Sequence, residues 1–180
     1  MNGVLLSSES YIKRTTNISD NLAGGYILPA LREVQEHNLR DILGDALLNK
    51  VKTLLKDKTI DAPENAHYAD LVNRCQDYLA YMCVMDVTNR VSYKVTNFGV
   101  SKSTDENLQV ATYDEIVKMQ YYYQTKADSY CLDLQNWLLD NKSHLPELTE
   151  CQCNKIRSSL HSSASCGIFL GGGRGKIKRR

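Results

Sequence analysis

The sequence predicts a mainly α protein, a small helical bundle with two long helices, an inserted β-hairpin or long loop, and an extended C-terminal arm. Three observations carry this. Tyr68, Leu71, Val72, Cys75, Tyr78, Leu79, Met82 and Cys83 recur at helical spacing, and so do Ile116, Met119, Tyr123, Ala127, Tyr130, Leu134 and Leu138. Between these stripes the period changes to alternation at Val91, Tyr93 and Val95. No apolar run approaches the roughly 20 residues that a membrane span needs. With 180 residues, the chain suits one domain with extensions, long enough to bury about 70% of the surface its unfolded form exposes.

In chain order, residues 1–19 read as an irregular arm with a short strand around Tyr11 and Ile12. The bundle core spans 20–145. Its first helix is predicted over Tyr26–His37, with Pro29 tolerated in the opening turn and Ile27, Leu31 and Val34 on one face. After a bend at Asn38-Leu39, a second helix covers Asp41–Lys56 on the stripe Leu43, Leu47, Val51, Leu54 and Leu55. Its lysines gather in the last turns, where the helix dipole favours them. Asp61, Pro63 and Glu64 give the third helix an N-cap, an early proline and an acid in the first turn, and the helix extends to Arg90.

The extended insert covers residues 92–111, and Thr112 with Glu115 forms a capping box for a fourth helix reaching Asn141. From 146 onward the pattern dissolves. "SSLHSSAS" (Ser158–Ser165) holds five serines in eight residues and reads as a flexible linker to a Gly-, Arg- and Lys-rich arm.

Charge is unevenly placed. Residues 174–180 carry Arg174, Lys176, Lys178, Arg179 and Arg180 without an acid; the other 17 cations face 21 acids, a net of −4. A domain that coats DNA usually spreads positive charge over a face, and this mildly acidic body does not. The start of the chain lacks a cationic segment before an apolar run, which predicts no secretory leader. The six cysteines are therefore expected as reduced thiols acting as small hydrophobes.

Several chemistries fail on their spacing. The Gly-Lys at 175–176 resembles a phosphate loop, but Leu170 stands where the first glycine is required and Ile177 where the metal-binding hydroxyl belongs. Cys151, Cys153, His161 and Cys166 have the chemical types of a tetrahedral zinc set. Their spacing matches no recognised module, and thiols in a tether are the preferred reading, so no metal and no cofactor are expected. The four histidines lie beside no glycine-framed nucleophile, and no catalytic residues are assigned.

Tyr121, Tyr122 and Tyr123 look like a stacking platform for single strands. Successive helical residues point about 100° apart, however, so they cannot share one plane. Tyr123 is expected in the core, with Tyr121 and Tyr122 facing a neighbouring subunit.

The whole constellation resembles a family. It comprises the short arm, "YILPALREVQEHNLRDILGDALLNKV" with its I-L-G step, "HYADLVNRCQDYLAYMCVMDV", the extended "VTNFGVSKS", another long helix and a Gly- and Arg-rich end. This is similar to the head–tail connector (adaptor, or neck ring) proteins of tailed bacteriophages, particularly crAss-like and related Bacteroidales phages, over most of residues 20–145.

The resemblance implies a non-enzymatic virion protein of the neck or tail, assembled in the host cytoplasm. It implies a homo-oligomeric ring, usually of twelve copies, that joins the portal to the next ring or tail component. Such a ring extends the DNA channel, lies near genomic DNA without specific contacts, and touches no membrane. Carried over, the assembly interface falls on the loop at 95–111, with Phe98, Val100 and Leu108, and on the arm at 166–178, with Ile168, Phe169, Leu170, Arg174, Lys176 and Lys178; the helical angle adds Tyr121 and Tyr122. The rival expectation is a nucleic-acid-binding accessory protein that acts through the basic tail.

Overall fold

The computed structural model describes residues 3–96, 99–102 and 112–164, with backbone alone for 92–96, 99–102 and 161–164. The helices are α1 (Glu9–Thr15), α2 (Gly24–Val34), α3 (Arg40–Leu43), α4 (Asp45–Lys56), α5 (Ala66–Ser92), α6 (Tyr113–Asp140) and α7 (Glu150–Ala164). A π-helical turn at Gln35–Leu39 joins α2 to α3, and a 3₁₀ turn at Pro63–Asn65 leads into α5. Strands β1 (Tyr93–Thr96) and β2 (Gly99–Lys102) pair antiparallel with Val95 opposite Val100. The rest of the insert, 97–98 and 103–111, lies outside the described residues. The class is mainly helical.

The central element is α5, a rod of about 40 Å at the helical rise. Its buried residues, from Tyr68, Leu71 and Cys75 to Cys83, Val84 and Val87, cover more than one helix face. One neighbouring helix cannot close so wide an arc. The α6 helix covers one side through Tyr123, Ala127, Leu134 and Leu138. The α2 helix, supported by α1, covers another with Ile27, Ala30, Leu31 and Val34.

The N-terminal stretch is built differently from the expected arm with a strand. Residues 9–15 are helical, capped by the Ser8 hydroxyl, which accepts from the Tyr11 amide at 3.2 Å. Seven residues are too few to show a period, and packing supplies what propensity does not. Ile12 is fully buried, and the Tyr11 hydroxyl donates to Asp77 on α5 at 2.6 Å. Residues 4–6 are pinned by side chains that stand in for a strand. The buried Gln35 amide accepts from the Leu6 N–H at 2.8 Å and donates to the Val4 carbonyl at 2.9 Å. Gln76 donates to the Leu6 carbonyl at 2.9 Å.

The expected bend at Asn38-Leu39 is displaced. The chain runs helically from α2 through the π turn into α3, and it breaks at Gly44 instead. Gly44 has φ 78° and ψ 163°, a conformation open essentially to glycine alone, which gives the I-L-G step its physical reason. The α3 carbonyls orphaned by this break are bonded from far along the chain. The Gln152 amide on α7 donates to the carbonyls of Asp41 at 2.7 Å and Ile42 at 2.6 Å.

Residues 150–164, expected inside a flexible linker, therefore form a docked helix. Thr149 is its cap, its hydroxyl accepting from the Gln152 amide at 3.3 Å. Leu148 and Cys153, at the two positions of a hydrophobic staple, are both buried, and Ile156 is 2% exposed. The serine-rich composition hid a narrow stripe at Cys153, Ile156 and Leu160.

Two outcomes are expected. Gly44→Ala lowers unfolding stability by about 1–3 kcal/mol through backbone strain, since an added Cβ meets Gln152 only at ordinary contact distance, 3.5 Å. Denaturant titration measures it. Gln35→Ala orphans the Leu6 amide and lowers stability by about 1–3 kcal/mol, with faster hydrogen exchange at Leu6 than in the parent.

Candidate functional site

The α6 helix presents two different faces. Its capping box is closed in both directions: the Thr112 hydroxyl accepts from the Glu115 amide, and the Glu115 carboxylate accepts from the Thr112 N–H at 2.8 Å. That reciprocal bonding holds the Glu115 carboxyl below the usual carboxylate range. From this fixed start, Tyr123, Ala127, Leu134 and Leu138 turn to the core. A second ridge, Tyr113, Val117, Tyr121 and Leu132, turns the other way. Tyr113 is 70% exposed, Tyr121 72%, and Val117 and Leu132 about 40%. Tyr122 stands between the two faces, 52% exposed, its ring edge-on to Tyr123 at 5.3 Å with Lys126 over it at 5.9 Å.

An aromatic row backs this face. The Tyr81 ring stacks on Tyr130 at 5.2 Å and meets Tyr123 at 6.2 Å. Burial raises the hydroxyl pKa of Tyr81 and Tyr123 above the ordinary phenol value. The rings therefore stay neutral and stiffen α6 where its outer ridge is bare. Near the other end, a groove of about 580 Å³ runs between α6 and α7, lined by Thr125, Asp128, Ser129, Cys131, Leu132, Gln135 and Ser159. A second recess of about 410 Å³ lies where α7 meets the Gly44 break, and Arg40, Asp41, Asp45 and Lys155 around it are ion-paired.

Three of the thiols are packing groups. Burial pushes Cys83 up to about 12 and Cys131 to about 11, and Cys75 is raised further, so all three stay protonated and act as packing groups. The low-ranked metal set does not converge within the described residues. Cys153 is buried in the core while Cys151 is exposed, as positions two apart on a helix require. The His161 side chain and Cys166 lie outside what is described. Among the described residues, no group of three or more His, Cys, Asp or Glu is placed to hold a metal ion. His67 and His144, unremarkable in sequence, stack at 4.0 Å and tie the start of α5 to the turn after α6.

Of the predicted interface residues, Tyr121 and Tyr122 sit on the outer side of α6 with Tyr123 inside, as the helical angle demands. Val100 lies in β2. Phe98, Leu108, Ile168, Phe169, Leu170, Arg174, Lys176 and Lys178 lie outside the described residues. The sequence reading missed Tyr113, Val117 and Leu132, and it placed Met119 on the core stripe although Met119 is 41% exposed. A signal existed: Tyr113, Val117 and Tyr121 repeat every four residues on a line separate from the core stripe.

No described helix is long and apolar enough to cross a membrane. No curated protein and no solved structure matches the chain. A family profile does match, over residues 39–158, from the last residue of the π turn through more than half of α7, and so includes the break at Gly44, both long helices and the bare ridge. By that match the chain belongs to the Family of unknown function (DUF6712).

Proposed function

We propose that the chain is a structural, non-enzymatic subunit of a symmetric ring, the head–tail connector of a tailed bacteriophage. In this reading copies stand side by side beneath the portal, pass the DNA channel onward and present a platform to the next neck or tail component. The observation that carries the proposal is the bare ridge of α6. A rigid helix of 28 residues, capped at its start and backed by stacked tyrosines, holds Tyr113, Val117, Tyr121 and Leu132 in solvent. Tyrosine supplies large contact area at low entropic cost and is enriched at interfaces. The order of elements and the I-L-G and N-F-G-V steps support the neck-ring assignment through the resemblance. The acidic balance outside residues 174–180 suits a channel wall, because like charge keeps a sliding duplex from adhering.

In the assembled ring, the ridge of one copy meets its neighbour, and residues 166–180 engage the portal through their apolar and cationic halves.

Native mass measurement tests the reading. The chain is expected to form ring-sized particles with its portal. A Val117→Glu, Tyr121→Glu double variant should weaken association about tenfold or more, since each change places an unpaired charge in an apolar contact. Its helical circular dichroism should match the parent because both positions are exposed. Deleting residues 166–180 should remove portal docking and leave the bundle folded. A chain that stays monomeric with portal present, or a double variant that assembles like the parent, sinks the proposal.

A further inference from the structure

The first turns of α6 are apolar on more than the ridge. Seven large hydrophobic residues stand exposed among the described residues, and five of them, Tyr113, Val117, Met119, Tyr121 and Tyr122, belong to these turns. They do not share a side. Successive helical residues turn by about 100°, so Val117 and Met119, two apart, point about 160° away from each other. With Tyr123, Ala127, Leu134 and Leu138 marking the inner side, Tyr113, Val117, Tyr121 and Asp128 fall on one flank. Met119, Tyr122 and Lys126 fall on the other. A helix left apolar on two flanks calls for a partner on each.

The flanks are opposite in charge. Asp128 stands on the first, lining the groove of about 580 Å³, where Thr125, Ser129 and Gln135 add oxygen acceptors and the described lining carries no cation. Lys126 is exposed on the second, its ammonium over the Tyr122 ring at 5.9 Å. Neither Asp128 nor Lys126 has an ion-pair partner among the described residues. The acids of the second flank lie apart from Lys126. Glu115 is closed into its capping box, and Asp133 is two turns further on, roughly 10 Å along the axis. Asp114 and Lys118, one turn apart, point outward between the flanks.

The flanks also match in height. Val117 is level with Met119, Tyr121 with Tyr122 and Asp128 with Lys126, each within roughly 3 Å along the helix. A closed ring demands that equality. Rotation without translation brings helices that stand along its axis together in parallel at one height, the first flank of one copy on the second flank of the next. Across a two-fold axis the first flank would instead meet itself. Asp128 would then face apolar residues or its own copy, with no cation on that flank to receive it.

We propose that α6 docks on α6 of a second copy of this chain, parallel and at equal height. Val117 and Tyr121 of one copy pack on Met119 and Tyr122 of the next, and the Lys126 ammonium sits at Asp128 in the groove. The inference rests on the ring reading and names the half of each contact that the ridge alone leaves unassigned.

Charge exchange in the full-length chain, without portal, tests it, with association followed by sedimentation velocity and native mass. Asp128→Lys puts two cations at every contact, and Lys126→Asp puts two carboxylates there. Each single variant is expected to associate at least about threefold more weakly than the parent. Mixing the two in equal amounts should restore association, because alternating chains again pair one cation with one carboxylate at every contact. A chain carrying both changes should regain it as well. Both positions are exposed, so helical circular dichroism should match the parent. A parent that stays monomeric or stops at two copies, single variants that associate like the parent, or a mixture without rescue would overturn the proposal. The two readings fail differently. Ring-sized particles with portal that ignore the exchange defeat the flank pairing and leave the ring standing. Charge-dependent association to which portal adds nothing defeats the connector and leaves the pairing.

Discussion

The structure depends on the burial demand of α5. Its apolar positions sweep from Tyr68 and Leu71 to Val84 and Val87 around more than half the helix surface. A helix buried on one stripe needs one partner; one buried this widely needs several. The rest of the chain is arranged to supply them. The α6 helix returns along it as the other arm of a long antiparallel pair, and α2 with α1 closes the remaining side. Tyr78 on α5 shows the depth of this packing, since burial raises its hydroxyl far above the ordinary phenol value.

Around that core, polar side chains repeatedly take over backbone duties. Gln35 serves as a strand partner for residues 4–6, and Gln152 serves as the missing turn of α3. Both join segments far apart in sequence, 29 residues in one case and 110 in the other. The bond from the Leu6 amide to Gln35 is buried, and without it that amide would be desolvated and unpaired at a cost of about 1–3 kcal/mol. Tyr11 with Asp77 and Tyr68 with Glu147 do similar work at the edges. Burial, then the neighbouring carboxylate, raises each of these phenols to about 12.

The α6 helix divides its labour along and around its length. One line of residues completes the core, and another, beginning at Tyr113, is left in solvent. Core packing immobilises the helix through Tyr123, Leu134 and Leu138, so the outer tyrosines are presented on a fixed scaffold. A surface of this kind is suited to meeting another helix or an extended segment, because it is linear, apolar and already ordered.

By itself the sequence determined the helical class, the two long helices and the cap of α6; the expected Asp61 cap of α5 does not form, because Ala62 precedes the 3₁₀ turn that leads into that helix and no side chain caps it. Their stripes run for many turns, and the Thr112–Glu115 box is a local signal. It also set Tyr121 and Tyr122 apart from Tyr123, because the angle between successive helical residues is fixed by the backbone. What only the tertiary structure decided were the short or sparse elements. The α1 helix has seven residues and α7 is rich in serine, so neither shows its period until Ile12 and Cys153 are seen buried. The bend moved from Asn38 to Gly44 because a helix can absorb one extra residue in a π turn, and no local signal announces that. The ridge of Tyr113, Val117 and Leu132 was likewise undecided, since an apolar residue on a helix reads the same whether a partner covers it or water does. Which faces α5 claims for the core is a matter of packing between distant segments, and that alone leaves this line of α6 outside.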